Sequence, residues 1–296
     1  MKKKKGGADF MYGKFEDQPL PVSDLACERG RADLGIEGVK LTKESCGEYS
    51  WERIRIESEA GARDIGRPMG NYDTLTLPRV DTLSEEDIDD AANEVARELC
   101  LAADRLLIYP ERLLIIGLGN RDLTPDSVGP RAAAGITATL HMMRADDGVF
   151  SSLDCSEIAV ISPGVTAQSG MDASDIIVGI CERIMPDAVI AIDALASKSV
   201  TRLGTTIQIS DTGIFPGGGI GNKRTPLNED TLGVPVIAIG VPTVINARHL
   251  LLECGAAPEA GSAVDGMFIS PREIDGIAEA SARIISRGIN QAFGIM

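Results

Sequence analysis

Histidine and paired cysteines are scarce in this chain of 296 residues, and their scarcity excludes several kinds of active site. Only two histidines are present, His141 and His249, and both fall on segments with helical apolar spacing. No G-x-S-x-G motif occurs, so a serine or cysteine nucleophile activated by histidine is disfavoured. The six cysteines form no C-x-x-C pair and no zinc-type spacing. We therefore expect reduced, buried thiols.

Long apolar runs and excess positive charge are also lacking. No window approaches the ~18 consecutive apolar residues of a membrane span, and the lysines at positions 2–5 are not followed by an apolar signal core. The chain has 29 Lys and Arg against 44 Asp and Glu, a net charge of −15. Phosphate binding depends on basic side chains, so we expect no direct nucleic-acid partner. We expect a soluble, unexported, cytoplasmic protein with no membrane partner.

The pattern of apolar residues predicts an α/β fold. Residues 1–80 show Gly, charge and little periodicity, which indicates an irregular N-terminal extension, and Ser84 with Asp87 marks a helix start. Short runs rich in Ile and Val then predict five strands, at 113–116, 159–162, 188–192, 206–209 and 236–239. Helical spacing lies between and after them, at 127–143, 174–185, 243–253 and 272–287. This alternation predicts a doubly wound, largely parallel sheet flanked by helices.

The loop after the first of these strands reads GLGN, from Gly117 to Asn120. A dinucleotide fingerprint would need a third glycine where Asp122 stands, so nucleotide binding of that type is excluded. Glycines in such a loop let the backbone turn tightly beside another group. We expect Gly117 and Asn120 to support a site beyond the carboxyl ends of the strands, where open sheets bind their ligands.

Two aspartates are placed for chemistry at that edge. Asp126 stands at the start of a predicted helix, where an acidic residue is also favourable for the helix dipole alone. Asp193 follows a buried apolar strand, and a buried carboxylate is costly unless it is paired, hydrogen-bonded or protonated. Two such carboxylates can divide acid and base roles in hydrolysis, or they can hold a metal ion.

Other polar residues that follow strands are candidates for binding or supporting roles. Gln168 lies in a loop that could bind extended peptide, and Asp211 follows another strand directly. Lys223 and Arg224 end a glycine-rich loop that lacks the P-loop motif, and they could offer cations to a developing oxyanion.

Five ordered blocks carry a specific resemblance. They read GLGNRDLTPDSVGP, SPGVTAQSGMDASDII, PDAVIAIDALASKS, TIQISDTGIFPGGGIGNKR and TLGVPVIAIGVPTV, within residues 112–250. In this order they resemble the successive blocks of the germination protease family. The resemblance implies an atypical aspartic-type endopeptidase without a cofactor, made as a zymogen and assembled as a homotetramer in the spore core. Such enzymes cleave the small acid-soluble proteins that coat spore DNA.

The resemblance also implies roles for individual residues. The two essential aspartates of the family fall on Asp126 and Asp193. The fold would be similar to that of hydrogenase maturation proteases, whose corresponding acidic positions bind metal with an added histidine. This chain has no histidine after a strand, so we favour cleavage without metal. Phe215 and Asn246 stand where better-known members have His and Asp, so neither side chain is assigned to catalysis.

The family's substrates present an acidic residue, then a large apolar one, a small one, and a Glu shortly after. The stretch from Asp33 to Glu37, which reads DLGIE, fits this pattern. We therefore predict autoprocessing between Asp33 and Leu34. Residues 1–33 would be a propeptide, and residues 34–296 a single α/β peptidase domain with an irregular part at 34–80. Two alternatives stay open: a metal-dependent maturation-type protease that uses the same carboxylates as ligands, and a non-enzymatic binding protein.

Overall fold

A computed structural model of the chain describes residues 23–28, 35–143, 155–215, 225–255, 264 and 266–294. Within these ranges nine strands form one sheet, in the order β1-β2-β3-β7-β8-β6-β4-β5 with β9 paired to β8. In chain order the strands are β1 (Val39–Cys46), β2 (Tyr49–Ile56), β3 (Gly70–Thr76), β4 (Arg112–Gly117), β5 (Glu157–Ile161), β6 (Ala188–Ser197), β7 (Thr206–Ser210), β8 (Val236–Asn246) and β9 (Phe268–Ile269).

The sheet is parallel in one half and antiparallel in the other. Strands β5, β4, β6 and β8 pair in parallel, whereas β7, β3, β2 and β1 continue the sheet beyond β8 with antiparallel pairing. The parallel strands are the apolar runs that the sequence indicates, and such runs suit strands buried on both faces. The predicted α/β class is therefore confirmed, with an antiparallel half that the sequence did not predict.

Helices cover both faces of the sheet. In chain order they are α1 (Glu59–Ile65), α2 (Glu85–Arg105), α3 (Val128–Ala134), α4 (Leu140–Met143), α5 (Thr166–Ser169), α6 (Ala173–Ile184), α7 (Glu229–Leu232), α8 (Ala247–Glu253) and α9 (Ile274–Phe293). The long helices α2 and α9 pack together, and with α3 they cover the face that carries Ile190 and Ile192. Helix α6 covers the opposite face, which carries Val189 and Ala191. Alternate residues of one strand thus reach two separate cores.

Several predicted helix boundaries are confirmed and two are wrong. Ser84 and Asp87 form a capping box that begins α2, as predicted. The helix predicted over 127–143 is interrupted, because α3 ends at Ala134 and Thr139 donates its backbone N–H to Ile158 on β5. The helix predicted to begin at residue 243 begins four residues later, since β8 continues to Asn246, whose side chain caps α8.

The N-terminal part is ordered where we predicted irregular structure. Between residues 39 and 76 the chain forms β1, β2, α1 and β3, so the expectation of an irregular stretch at 34–80 is wrong. Charged residues mask the strand pattern of the sequence, because they are paired in the fold. Arg53 on β2 donates to Glu98 of α2 at 2.6 Å and lies 3.3 Å from Asp73 on β3. The antiparallel half of the sheet therefore depends on ion pairs buried beneath α2.

Two expectations from composition can be compared with the structure. No helix in the described part of the chain is long and apolar enough to cross a bilayer. All six cysteines are free, but only Cys181 is buried, and Cys46, Cys100 and Cys254 are exposed. The prediction of buried thiols is therefore wrong for these three.

Candidate active site

Asp193 lies within β6, rather than at its tip as the sequence suggested, because the strand runs on to Ser197. Its side chain is 7% exposed and, by the alternation of the strand, shares a face with Val189 and Ala191. One carboxylate oxygen, Oδ1, accepts the backbone N–H of Ala194 at 2.9 Å. Its neighbour across the sheet on β8 is Gly240, and the side chain of Leu195 packs over this glycine, since a Cβ atom there would lie 2.3 Å from it.

Asp126 is held by the loop that follows β4. It ends a short 3-10 turn, Thr124–Asp126, and it is half-buried. Its Oδ2 accepts the backbone N–H of Asn120 at 2.8 Å. Gly119 has φ +112, and a Cβ atom at this position would lie 2.1 Å from the backbone oxygen of Asp126. Only glycine therefore fits where the loop passes the aspartate.

The loop after β4 and strand β6 bring the two aspartates to one edge of the sheet. Leu118 donates its backbone N–H to Ile192, the residue before Asp193, at 2.8 Å. A Cβ atom on Gly129, three residues after Asp126, would lie 2.6 Å from that same Ile192 oxygen. The turn that carries Asp126 also contacts β6. The segments that carry the two aspartates therefore pack together beside the end of β4.

Two supporting residues predicted from the sequence join this site. Gln168 on α5 donates its side-chain N–H to Oδ1 of Asn120 at 3.0 Å and to Asp122 at 3.3 Å. Asn120 in turn binds Asp126 through its backbone, so the loop after β5 holds the loop after β4. Gly117 has a packing role, since a Cβ atom there would lie 2.3 Å from the oxygen of Gly129. Asp122, to which the sequence gave no role, completes the hydrogen-bonded group.

Asp211 is not part of this group, and the reason is the direction of its strand. We placed it at the site because it follows a strand, but β7 runs antiparallel to β8, so its end points toward the opposite edge. There Asp211 accepts the backbone and side-chain N–H groups of Asn71 at 2.8 and 2.6 Å. It also lies 3.8 Å from Nε of Arg105. Its position is that of a structural carboxylate.

The remaining predicted residues lie elsewhere. Asp33, Leu34, Lys223 and Arg224 fall outside the described residues. Among the residues that are described, no group of three or more His, Cys, Asp and Glu side chains could hold a metal ion. His249 lies on α8, where burial and then the charge of Lys198 lower its pKa below the ordinary value.

Residues 23–28 dock onto the C-terminal end of β6, and this contact was not predicted from the sequence. Asp24 exchanges two hydrogen bonds with Ala196 of β6, through its backbone N–H at 3.0 Å and its Oδ2 at 2.9 Å. Glu28 accepts the backbone N–H groups of Lys198 and Ser199 at 2.6 and 3.1 Å. A signal was present, because the stretch DLACE from Asp24 to Glu28 repeats the acidic, apolar, small and Glu order of 33–37.

The fold and the site define an α/β protein in which the loop that carries Asp126 packs against the strand that carries Asp193. The chain belongs to the germination protease family, which it matches over residues 21–253, and it is therefore a peptidase. It is 36% identical to the germination protease of Caldanaerobacter subterraneus subsp. tengcongensis, covering 96% of this chain and 95% of the relative. It is 40% identical to that of Oceanobacillus iheyensis, covering 79% of this chain and 67% of the relative.

Solved structures are also similar. One of them is the [NiFe] hydrogenase maturation protease HycI from Thermococcus kodakarensis, at 18% identity and a TM-score of 0.37. The match covers 64% of this chain and 99% of that protein. A score at this level supports no argument about function.

Proposed function

We propose that the protein is a self-processing endopeptidase that initiates the degradation of small acid-soluble spore proteins during germination. Asp126 and Asp193 together activate the attacking water. The observation that carries this proposal is that the loop holding Asp126 hydrogen-bonds, through Leu118, to Ile192, the residue before Asp193. Asp126 is half-buried and Asp193 is 7% exposed. The family membership supports a peptidase acting in spores. The enzyme would act as a homotetramer in the cytoplasm of the spore core.

The carboxylate pair would share one proton. The ionised member accepts a proton from water as the water oxygen attacks the scissile carbonyl. The protonated member donates a hydrogen bond to the carbonyl oxygen, and a proton then passes to the departing amine. In such a mechanism the acid and base roles belong to the pair and not to either aspartate alone. Exposed apolar side chains beside the site, Leu123 and Met171, offer surface to a peptide chain.

Mutation and chelation together test this mechanism. Wild type, Asp126→Asn and Asp193→Asn are each matured with a trace of active wild-type enzyme that is then removed, and cleavage of a small acid-soluble spore protein is measured with and without EDTA. Asp187→Asn is the matched control, since Asp187 precedes the first residue of β6 and lies six residues before Asp193. Its carboxylate accepts the backbone N–H of Arg112, which an amide oxygen can replace.

Each outcome has a distinct meaning. Loss of about 10³-fold or more in kcat for both site variants, with no effect of EDTA or of Asp187→Asn, supports the aspartate pair. Inhibition by EDTA that added metal reverses would favour the metal-dependent alternative. Cleavage by neither processed wild type nor variants would favour a non-enzymatic binding protein.

Processing is proposed between Asp33 and Leu34, with residues 1–33 as propeptide. The repeated pattern at Asp24–Glu28 gives a second candidate bond, between Asp24 and Leu25. N-terminal sequencing of the matured protein distinguishes them, because the new terminus would be Leu34 in one case and Leu25 in the other. Any other terminus would contradict both.

A further inference from the structure

A buried arginine lies beside the candidate site with part of its hydrogen-bonding capacity unused. Arg67 follows α1, and its side chain is only 11% exposed. Its Nε is buried and has no hydrogen-bond partner among the described residues. Burial lowers the pKa of Arg67 from its ordinary value, and the charge of Asp24 opposes this shift. A buried guanidinium is costly unless anions or carbonyl oxygens surround it, so its partner matters.

The partner in this structure is the docked N-terminal segment. The terminal Nη2 of Arg67 donates to the backbone oxygen of Asp24 at 2.5 Å and lies 3.7 Å from Oδ1 of the Asp24 side chain. An arginine and a carboxylate in good contact are ~2.7–2.9 Å apart and often make two parallel hydrogen bonds. The Asp24 carboxylate therefore lies roughly 1 Å beyond such a contact, and its other oxygen is held by the backbone N–H of Ala196.

The cavity that contains Arg67 and Asp24 is lined by residues that neighbour Asp193, although not by Asp193 itself. Its lining includes Gly240, the cross-strand neighbour of Asp193, and Leu195, two residues beyond Asp193 on the same face. Gln208 lines it as well, and its side-chain oxygen accepts the backbone N–H of Ala26 at 2.8 Å. With the segment in place the space that remains is about 20 Å³, room for about one water. A stretch of peptide thus fills a cavity that shares Leu195 and Gly240 with the surroundings of Asp193.

We propose that this cavity is the subsite for an acidic side chain of the substrate, that Arg67 is the residue that selects it, and that Asp24 occupies it until processing. This inference rests on the proposed function, and processing at either candidate bond separates Asp24 from the rest of the chain. The substrate carboxylate then takes the place of the Asp24 carboxylate. A glutamate is one methylene longer than Asp24, so it reaches both Nε and Nη2 of Arg67. The subsite therefore favours Glu over Asp, and both over Gln.

The test compares three peptides that differ only in the residue before the cleaved bond, which is Glu, Asp or Gln. Full-length wild type, Arg67→Gln, Arg67→Lys and Arg63→Gln are each matured with a trace of active wild-type enzyme. Arg63 is the matched control, because it lies on α1 only four residues earlier, is 72% exposed and pairs with Glu59. Values of kcat/KM are measured for every pair, with the thermal unfolding midpoint as the check of folding.

Wild type and Arg63→Gln are expected to cleave the Glu peptide at least roughly 30-fold better than the Gln peptide, since one partner of a buried charge pair is removed. Arg67→Gln is expected to cleave the Glu and Gln peptides equally, mainly through a higher KM for the Glu peptide. Arg67→Lys keeps the charge but not the fork of donors, so it retains a reduced preference. If Arg67→Gln does not fold, the lysine variant decides. An unchanged Glu preference in a folded Arg67 variant overturns the proposal.

Failure of the proposed function has a separate signature. If wild type cleaves none of the peptides, the subsite is assessed by binding of the fluorescently labelled Glu and Gln peptides to full-length Asp24→Asn, followed by anisotropy. Preference for the Glu peptide that Arg67→Gln in the same chain abolishes supports the subsite without catalysis. Equal binding of the two peptides overturns it.

Discussion

Replacing Gly119 by alanine should disable the site while leaving the protein folded. The added Cβ would lie 2.1 Å from the backbone oxygen and 3.0 Å from Oδ1 of Asp126. Ordinary contacts of this kind need ~3.3 Å, so the turn that carries Asp126 must move by roughly 1 Å. A displacement of ~1 Å at a reacting group costs about 10²-fold in rate. The backbone at φ +112 adds about 1–3 kcal/mol of strain.

The strain and the displacement can be separated with a control glycine. Gly233 ends α7 at φ +72, and a Cβ atom there would meet nothing within 4 Å. Gly233→Ala is therefore expected to lower the free energy of unfolding by about 1 kcal/mol without changing kcat. Gly119→Ala is expected to lower kcat by about a hundredfold.

Both quantities are accessible in the same samples. Urea unfolding can be followed by the fluorescence of Trp51, the single tryptophan, which is 1% exposed. Activity is the initial rate of cleavage of a small acid-soluble spore protein. A folded Gly119→Ala protein with the wild-type kcat would refute the view that the position of Asp126 controls catalysis.

Two further changes test the ion pairs beneath α2 and the loop that holds Asp126. Burial, and then the charge of Glu98, raise the pKa of Asp73 to about 6 against the opposing effect of Arg105. The stabilising contribution of protonated Asp73 is therefore present below pH ~4 and is lost as pH rises through ~6. Asp73→Asn should flatten the fall in unfolding free energy over this window, measured by urea titration, and an unchanged slope would contradict the assignment. Gln168→Ala removes the side-chain donor to Asn120 at 3.0 Å. It should lower kcat about threefold to tenfold with little change in unfolding free energy, and a purely structural role would move stability and leave kcat unchanged.

The parts of the site that are local in sequence were predictable. A carboxylate next to a buried strand of Ile and Val is visible in the chain alone, which is why Asp193 could be identified from its position. The position of Asp126 near the end of β4 could be predicted because only a short loop separates this strand from the following helix. The ends of parallel neighbours meet at one edge of a sheet, so their juxtaposition follows once both strands are assigned.

The errors arose where the direction or pairing of a strand is set by distant residues. The run that forms β7 reads like its parallel neighbours, and nothing local indicates that it lies antiparallel to both β3 and β8. Because β7 runs in the opposite direction, Asp211 lies at the edge of the sheet opposite to the candidate site. Strand β2 reads as polar because Arg53 stands among its apolar residues. The buried charge of Arg53 beneath α2 is compensated by Glu98 and Asp73, which are distant in the sequence.

The N-terminal part of the chain contains the same acidic, apolar, small and Glu pattern twice. DLGIE at 33–37 and DLACE at 24–28 have equal standing as patterns, and letters alone gave no reason to prefer the second. In the fold, Leu25 and Ala26 are fully buried, and the carboxylates of Asp24 and Glu28 are bound by Ala196 and by the backbone of Lys198 and Ser199. A segment bound at two acidic side chains four residues apart is held as a peptide ligand would be. If its occupancy of the cavity is what delays access to Asp193, then weakening it by Asp24→Asn should admit labelled peptide to full-length protein that has not been processed.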